Sequence, residues 1–274
     1  MTYEFDLVGK IGSMALIDDT GKDINYNIIS RIGKELKPGM IWITSGAVEI
    51  GRLDYISRNG AALQGDEYDI KTDYAAQGQA ILIETYRKFI KSVYSVRQIL
   101  VEHHHFNDGV KKEHLKKTLL RCPAQNAIPI INYNDAVCSV ENMKLELSTL
   151  KQKNGRVVSG LDNDETASEI ACLVKTKVLL IMTSVDGIYS DPKDKNTLIN
   201  EIGGSSAYEV IDNISAIQNC CEGASRKGAN GAKAKLEYIK EPVKLGTKVI
   251  IANSKYSISD ILSGSAPATR IGVR

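Results

Sequence analysis

The chain has 274 residues, 43% of them hydrophobic and 25% charged, with a formal charge of +2. That composition suits a soluble globular protein, the length fits one large α/β domain with two lobes, and the balanced charge gives no electrostatic reason to expect nucleic acid as a partner. Five cysteines without Cys-x-x-Cys spacing suggest neither a disulfide framework nor a zinc site, and with no charged-then-apolar leader and no apolar run near the roughly 20 residues of a bilayer span, a cytoplasmic protein with no membrane partner is expected.

Residues 5–8 form the first strand candidate and run into Gly9-Lys10-Ile11-Gly12-Ser13. Glycines there let backbone amides approach an anion beside a lysine, while a surface turn with a solvated lysine explains the same residues equally well. A Walker A loop is absent. Asp23 is expected to cap a helix in which Ile24, Ile28, Ile32 and Leu36 recur every four residues until Pro38-Gly39. Residues 40–44 read as a buried strand that meets Ser45, Gly46 and Ala47 at once. Small residues at that point allow a helix to start close to a ligand and to offer it free backbone donors, although packing alone could ask for them.

Residues 53–69 are polar and irregular enough to be a mobile flap, residues 75–91 read as a long helix, and 96–101 as another strand. His103, His104 and His105 are adjacent, so they point in different directions and a solvated loop is expected rather than one chelating site. Lys111, Lys112, Lys116 and Lys117 mark a helix with a charged solvent face. Residues 128–131 form the next apolar strand, followed by the polar cluster Asn132-Tyr133-Asn134-Asp135. From 140 to 154 the chain turns polar and alternates weakly, which suggests a hairpin.

In the stretch 160–192, Asp162 or Asn163 can cap a helix whose positions Ala167, Ile170, Ala171 and Val174 have helical spacing, with Asp164 and Ser168 one turn apart. Residues 178–182 read as a buried parallel strand, though periodicity alone does not exclude a helix, and Thr183-Ser184 open a polar loop straight after it. Residues 193–206 are turn-rich. Residues 223–236 gather glycines and lysines, Gly228, Gly231 and Lys235 among them, at the start of a helix running to about residue 240. Residues 248–251 are the last expected strand, and a short helix follows near 258–262.

Five or six apolar strands, separated by helices and each followed by small or polar residues, imply a mainly parallel sheet with helices on both faces and ligands past the carboxyl ends of its strands. Two lysines in glycine-rich settings, Lys10 and Lys235, together with Asp164, are what phosphoryl transfer requires. Fixed cations offset charge on the moving group, and a carboxylate can hold those cations in place.

These residues carry a resemblance to the amino acid kinase family, and within it to the glutamate 5-kinases. It extends over nearly the whole chain. Its anchors are Val-Gly-Lys-Ile-Gly-Ser from Val8, Thr-Ser-Gly-Ala-Val from Thr44, Ile-Pro-Ile-Ile-Asn-Tyr-Asn-Asp-Ala-Val from Ile128, Asp-Asn-Asp from Asp162, Thr-Ser-Val-Asp-Gly-Ile-Tyr from Thr183, and the glycine-lysine segment ending at Lys235. The resemblance implies a three-layer α/β/α sandwich, with an acceptor-binding lobe over about 1–160 and a nucleotide-binding lobe over about 161–274. It implies ATP-dependent phosphorylation of the side-chain carboxylate of glutamate, the opening step of proline synthesis, with Mg2+ on the phosphates and a homodimer or homotetramer as the assembly. By the same resemblance Lys10 and Lys235 stabilise the transferring group and Asp164 orients both. Ser45, Gly46, Asn132, Asp135 and Asn163 hold the amino acid, and Gly12, Ser13, Thr183, Ser184, Gly228 and Gly231 contact the nucleotide.

The chain departs from that pattern in three places. Tyr133 stands where the family usually has Glu, Ser184 where it has Asp, and the glycine-lysine segment reads Gly228-Ala229-Asn230-Gly231-Ala232-Lys233-Ala234-Lys235. Asn230 can occupy a left-handed backbone position in place of glycine. The chain is also expected to lack the C-terminal RNA-binding-type domain of many bacterial glutamate 5-kinases. Two rivals compete with this reading. A uridylate kinase would need arginines near the acceptor, and only Arg52 and Arg58 of the expected flap offer them. A non-catalytic binder on the same scaffold would account for the altered phosphate loop.

Overall fold

The computed structural model describes residues 2–18, 20–138, 140–154, 157–160, 162–191, 193–220 and 231–274. In chain order its strands are β1 (Phe5–Ile11), β2 (Met40–Ile43), β3 (Ser95–Val101), β4 (Ala127–Tyr133), β5 (Thr176–Thr183), β6 (Glu201–Gly204), β7 (Lys248–Asn253) and β8 (Ala268–Val273). The helices are α1 (Tyr26–Glu35), α2 (Ala47–Asn59), α3 (Glu67–Phe89), α4 (His104–Asn107), α5 (Gly109–Leu120), α6 (Val140–Asn154), α7 (Asn163–Val174), α8 (Ala207–Cys220), α9 (Gly231–Tyr238), α10 (Lys240–Lys244) and α11 (Ile258–Ser263). All eight strands join one sheet in the order β3-β4-β2-β1-β5-β7-β8-β6. Every neighbouring pair is parallel except β7 and β8.

The two faces of the sheet carry separate cores because side chains alternate along each strand. Val8, Ile41, Ile43, Ile131, Leu179, Ile181, Val249 and Ile251 pack on one face with α7 residues Ala167, Ile170, Ala171 and Val174. Leu7, Ile11, Trp42, Ile128, Ile130, Leu180 and Met182 face the other way, against Ile29 and Ile32 of α1, Ile50 of α2, and Leu82 and Tyr86 of α3. The result is an α/β/α sandwich. Burial of Ile170 and Val174 contributes roughly 1.5–3 kcal/mol each to docking α7 on its face.

From β1 the chain lays β2, β3 and β4 to one side and then returns to place β5 on the other. The reversal puts a topological switch point between β1 and β5, at whose carboxyl edge such sheets bind ligands. Gly9 has a packing reason to be glycine: a Cβ there would fall inside the ring of the fully buried Trp42. Packing makes no such demand at Gly12, where a Cβ would meet nothing nearer than Lys10 Nζ at 3.8 Å.

Several local expectations are corrected. Asn25, not Asp23, caps α1, its side chain accepting from the Ile28 amide. Asp23 is held one step earlier, in a tight turn where the Asp18 carboxylate accepts from the Lys22 and Asp23 amides and Ile17 bridges to Ile24. The expected flap over 53–69 is mostly helix, because α2 continues to Asn59 and Asp66 caps α3, which leaves only residues 60–66 irregular. Residues 140–154 form α6 rather than a hairpin; Leu147 packs on Tyr133 and Cys138, and Leu150 is half-buried at helical spacing from it. β6 and β8 add two strands that are too short or too mixed in polarity to read as buried parallel strands, so residues 248–251 do not hold the last one. His103 is not solvated either. It is 5% exposed, with Nε2 2.6 Å from Glu146 Oε2, and only His104 and His105 begin the short α4.

Candidate active site

The alternation that builds the two cores also aims the first functional side chain. Lys10 lies two residues beyond Val8, so it shares the face that α7 covers. Asp162 caps that helix, its Oδ1 accepting from the Asp164 amide at 2.9 Å, and places Asp164 in the first turn above the end of β1. Lys10 Nζ lies 2.7 Å from Asp164 Oδ1, and Lys235, one turn into α9, donates to Asp164 Oδ2. Lys10 and Asp164 are 8% and 6% exposed, so the trio sits largely out of water. Burial by itself would raise the Asp164 carboxyl, but the Lys10 and Lys235 ammonium groups outweigh it and hold the carboxyl well below the ordinary carboxylate range. The carboxylate is therefore ionised at any working pH and ties together two cations separated by most of the chain.

The segment leading into α7 is fastened from two directions. The Asn107 side chain donates to Val158 O and accepts from Val158 N, as a neighbouring strand would. Glu165 Oε2 accepts from Ser159 Oγ and the Gly160 amide, and Thr166 Oγ1 donates to Gly160 O. Ser168, one turn beyond Asp164, is buried.

On the opposite side of the switch point, amides replace charges. Asn163 Nδ2 donates to Ser45 Oγ at 2.7 Å and approaches Asn132 Oδ1 at 3.5 Å. Asn132 shares the face of Ile130, toward α3, where its Nδ2 donates to Gln79 Oε1 at 2.8 Å. Asn163 Oδ1 is buried and has no hydrogen-bond partner among the described residues. Gly46 precedes α2 with φ +94°, a left-handed conformation that turns the chain from β2 directly into the helix. Asp135, just past β4, is pushed up to about 6 by burial and by the neighbouring Glu49 carboxylate in the first turn of α2. The two carboxylates lie close enough for Glu49 to raise Asp135, a setting that favours a positively charged ligand group.

Gly12 and Ser13 follow β1, while Thr183 ends β5 and Ser184 follows it; Ile11 pairs with Met182, so the two loops leave the sheet side by side. Thr183 Oγ1 accepts from the Val185 amide, and Ser184 O accepts from Asn253 Nδ2. Gly231 opens α9 with φ +68°. Gly228 and the remainder of 221–230 lie outside the described residues. Among the described residues, no group of three or more His, Cys, Asp or Glu side chains could hold a metal ion.

Gln79 is a site residue that sequence reasoning passed over. Its signal was available: Tyr74, Ala75, Gly78 and Leu82 are the buried stripe of α3, and Gln79 is a polar residue four positions beyond Ala75. The close approach of α2 and α3 brings it there, since a Cβ on Gly78 would fall on the Ala47 carbonyl and one on Gly51 on the Tyr74 carbonyl. Arg58 is spent on Asp54 at 2.9 Å along the exposed side of α2, and Arg52 is exposed on the same helix.

The model of the amino acid kinase family matches residues 7–253, and the chain belongs to that family. Among curated proteins it is similar to the glutamate 5-kinase of Caldanaerobacter subterraneus subsp. tengcongensis, 28% identical over 277 residues that cover 97% of this chain and 66% of that protein. It is likewise 28% identical to the glutamate 5-kinase of Bacillus cereus strain ATCC 10987 over 278 residues, 97% of this chain and 68% of the relative. The chain spans about two thirds of the length of the curated relatives it matches. Among solved structures, carbamate kinase from Giardia lamblia bound to AMP-PNP superposes with a TM-score of 0.62 at 15% identity, covering 98% of this chain and 99% of that one. UMP kinase from Ureaplasma parvum does so with a TM-score of 0.50 at 12% identity, covering 97% and 98%. At those identities the likeness is one of fold.

Proposed function

We propose that this member of the amino acid kinase family transfers the γ-phosphoryl group of ATP to the side-chain carboxylate of glutamate, giving glutamyl 5-phosphate and ADP. The observation that carries this reading is the convergence of Lys10 and Lys235 on the buried Asp164, next in the chain to Asn163 and its hydrogen-bonded neighbours Ser45 and Asn132. Resemblance to glutamate 5-kinases over 97% of the chain supports the choice of acceptor.

In this reaction a carboxylate oxygen of glutamate bonds to the γ-phosphorus, the bond to the oxygen bridging the β-phosphate breaks, and ADP leaves with that electron pair. The acceptor is already an anion, so the chain needs no general base. Its task is to bring two anions together and to offset the charge spreading over the transferring group. Lys10 and Lys235 are suited to this because Asp164 fixes both ammonium groups before substrate arrives, and little reorganisation is left for the transition state. Asp135 is suited to the α-ammonium of the amino acid, and Gly12, Ser13, Thr183, Ser184 and Gly231 to the phosphates. On this view the lobe up to about residue 160 supplies most of the acceptor pocket and the lobe beyond it most of the nucleotide site, with Gly12 and Ser13 reaching the phosphates from the first and Asn163 reaching the acceptor from the second. Mg2+ would come with the nucleotide phosphates, because the described side chains do not fit a dedicated metal cage.

Trapping with hydroxylamine tests the proposal, with glutamate, aspartate, N-acetylglutamate and UMP offered against ATP or GTP. Glutamyl hydroxamate formed at the expense of ATP is the expected product. Turnover driven by UMP would favour a nucleotide kinase, and no stimulation by any acceptor would favour a binding protein on the same scaffold.

A further inference from the structure

We propose that Gln79 is a positioning residue of the acceptor pocket: acting through Asn132, it fixes the side-chain amide of Asn163 so that Oδ1 is presented, unpaired, to the amine of the substrate. The direction of this relay follows from one group that cannot reverse. The backbone N–H of Tyr133 only donates, and it donates to the Asn132 side chain at 2.9 Å, so the atom facing it is the acceptor Oδ1. The other end of that amide is then Nδ2, a donor that needs an acceptor because Asn132 is 2% exposed. Gln79 Oε1 supplies it at 2.8 Å. Asn132 Oδ1 also faces Asn163, so the Asn163 atom turned toward it must be the donor Nδ2, which reaches Ser45 Oγ as well. What remains is Asn163 Oδ1, an acceptor buried with no partner among the described residues. A buried acceptor left unpaired is costly, and a charged N–H donor repays more of that cost than a neutral one.

The arrangement selects against acceptors that lack an amine. It depends on a residue that lies in α3 and is separated from Asn163 by Asn132. Without the Gln79 oxygen, Asn132 Nδ2 is a buried donor with no acceptor, and it reaches one only if the side chain leaves the position in which its Oδ1 meets the Tyr133 amide and Asn163 Nδ2, which releases the orientation of Asn163.

The identity of the amine rests on the glutamate reading, and the test separates the two claims. Steady-state kinetics of Gln79→Leu should show the KM for glutamate raised at least tenfold, with kcat within about threefold and the KM for ATP unchanged; losing one buried hydrogen-bond partner commonly weakens an interaction by that order. Gln79→Glu, which keeps an oxygen acceptor opposite Asn132 Nδ2, should return the glutamate KM to within about threefold of wild type. A wild-type KM in Gln79→Leu overturns the proposal, and so does equal impairment of the leucine and glutamate variants. The side-chain amide resonances of Asn132 and Asn163, assigned from their loss in Asn132→Asp and Asn163→Asp, provide a readout independent of turnover. They should shift in Gln79→Leu relative to wild type, and unmoved resonances overturn the relay. If the wild-type protein fails to phosphorylate glutamate, the acceptor assignment falls and these resonances alone decide the role of Gln79.

Discussion

Replacing Asp164 with asparagine removes one charge and strands two. The Lys10 and Lys235 side chains, 10% and 16% exposed, would face a neutral amide and each other. Breaking a buried ion pair by removing one partner costs about 3–5 kcal/mol, and here both stranded groups carry the same sign, so a loss near the upper end is expected. Part of the loss is mutual repulsion. Asp164→Asn should therefore cost about 1–3 kcal/mol less in a Lys235→Met background than alone. The dependence on pH has a definite sign. The folded Asp164 carboxyl titrates well below its unfolded value, so the stability it contributes is complete above the ordinary carboxylate range and is lost progressively as pH falls from that range through the depressed folded value. Urea titrations followed by the fluorescence of the single, fully buried Trp42 measure these quantities directly. A loss below about 1 kcal/mol at pH 7, the size of an ordinary surface substitution, would refute the premise that this carboxylate organises both cations. So would a difference from wild type that stays constant into strong acid.

Lys235→Ala should lower kcat roughly 10³-fold while leaving the glutamate KM nearly unchanged, since its contact with substrate forms mostly in the transition state; equal losses in binding and rate, measured by steady-state kinetics, would count against that role. Asp135, held at about 6, should make glutamate binding sensitive to pH: its affinity falls about tenfold per unit below pH 6, where the carboxyl must first lose a proton to pair with an ammonium, and is flat above it. Isothermal titration between pH 5 and 8 should show that break in wild type and its absence in Asp135→Asn. Gly78→Ala drives a methyl group into the Ala47 carbonyl and should cost about 1–3 kcal/mol by urea denaturation, with the glutamate KM raised as Gln79 is displaced from Asn132.

The parallel α/β plan was legible because its cause is local. Runs such as Met-Ile-Trp-Ile in β2 and Leu-Leu-Ile-Met in β5 are apolar at every position and too short for most helices, which suits strands covered on both faces, and the small or polar residues after each run mark the carboxyl edge of the sheet. The glycine-rich settings of Lys10 and Lys235 and the acidic turn holding Asp164 are visible in the sequence, but their meeting is not. α6 and β8 were not legible, because weak alternation over 140–154 and mixed polarity over 268–273 carry no strong period. The approach of α2 to α3 depends on Gly51 and Gly78 fitting each other's backbone, a pairing that no local pattern announces. It is that approach which delivers Gln79 to Asn132. Sequence by itself determined which faces are buried and where polar groups cluster, since both follow from side-chain character and a period of two or 3.6 residues. Which of those groups share a proton donor, and which acceptor is left open, was decided only when crossing strands and close-packed helices brought distant residues within hydrogen-bond range.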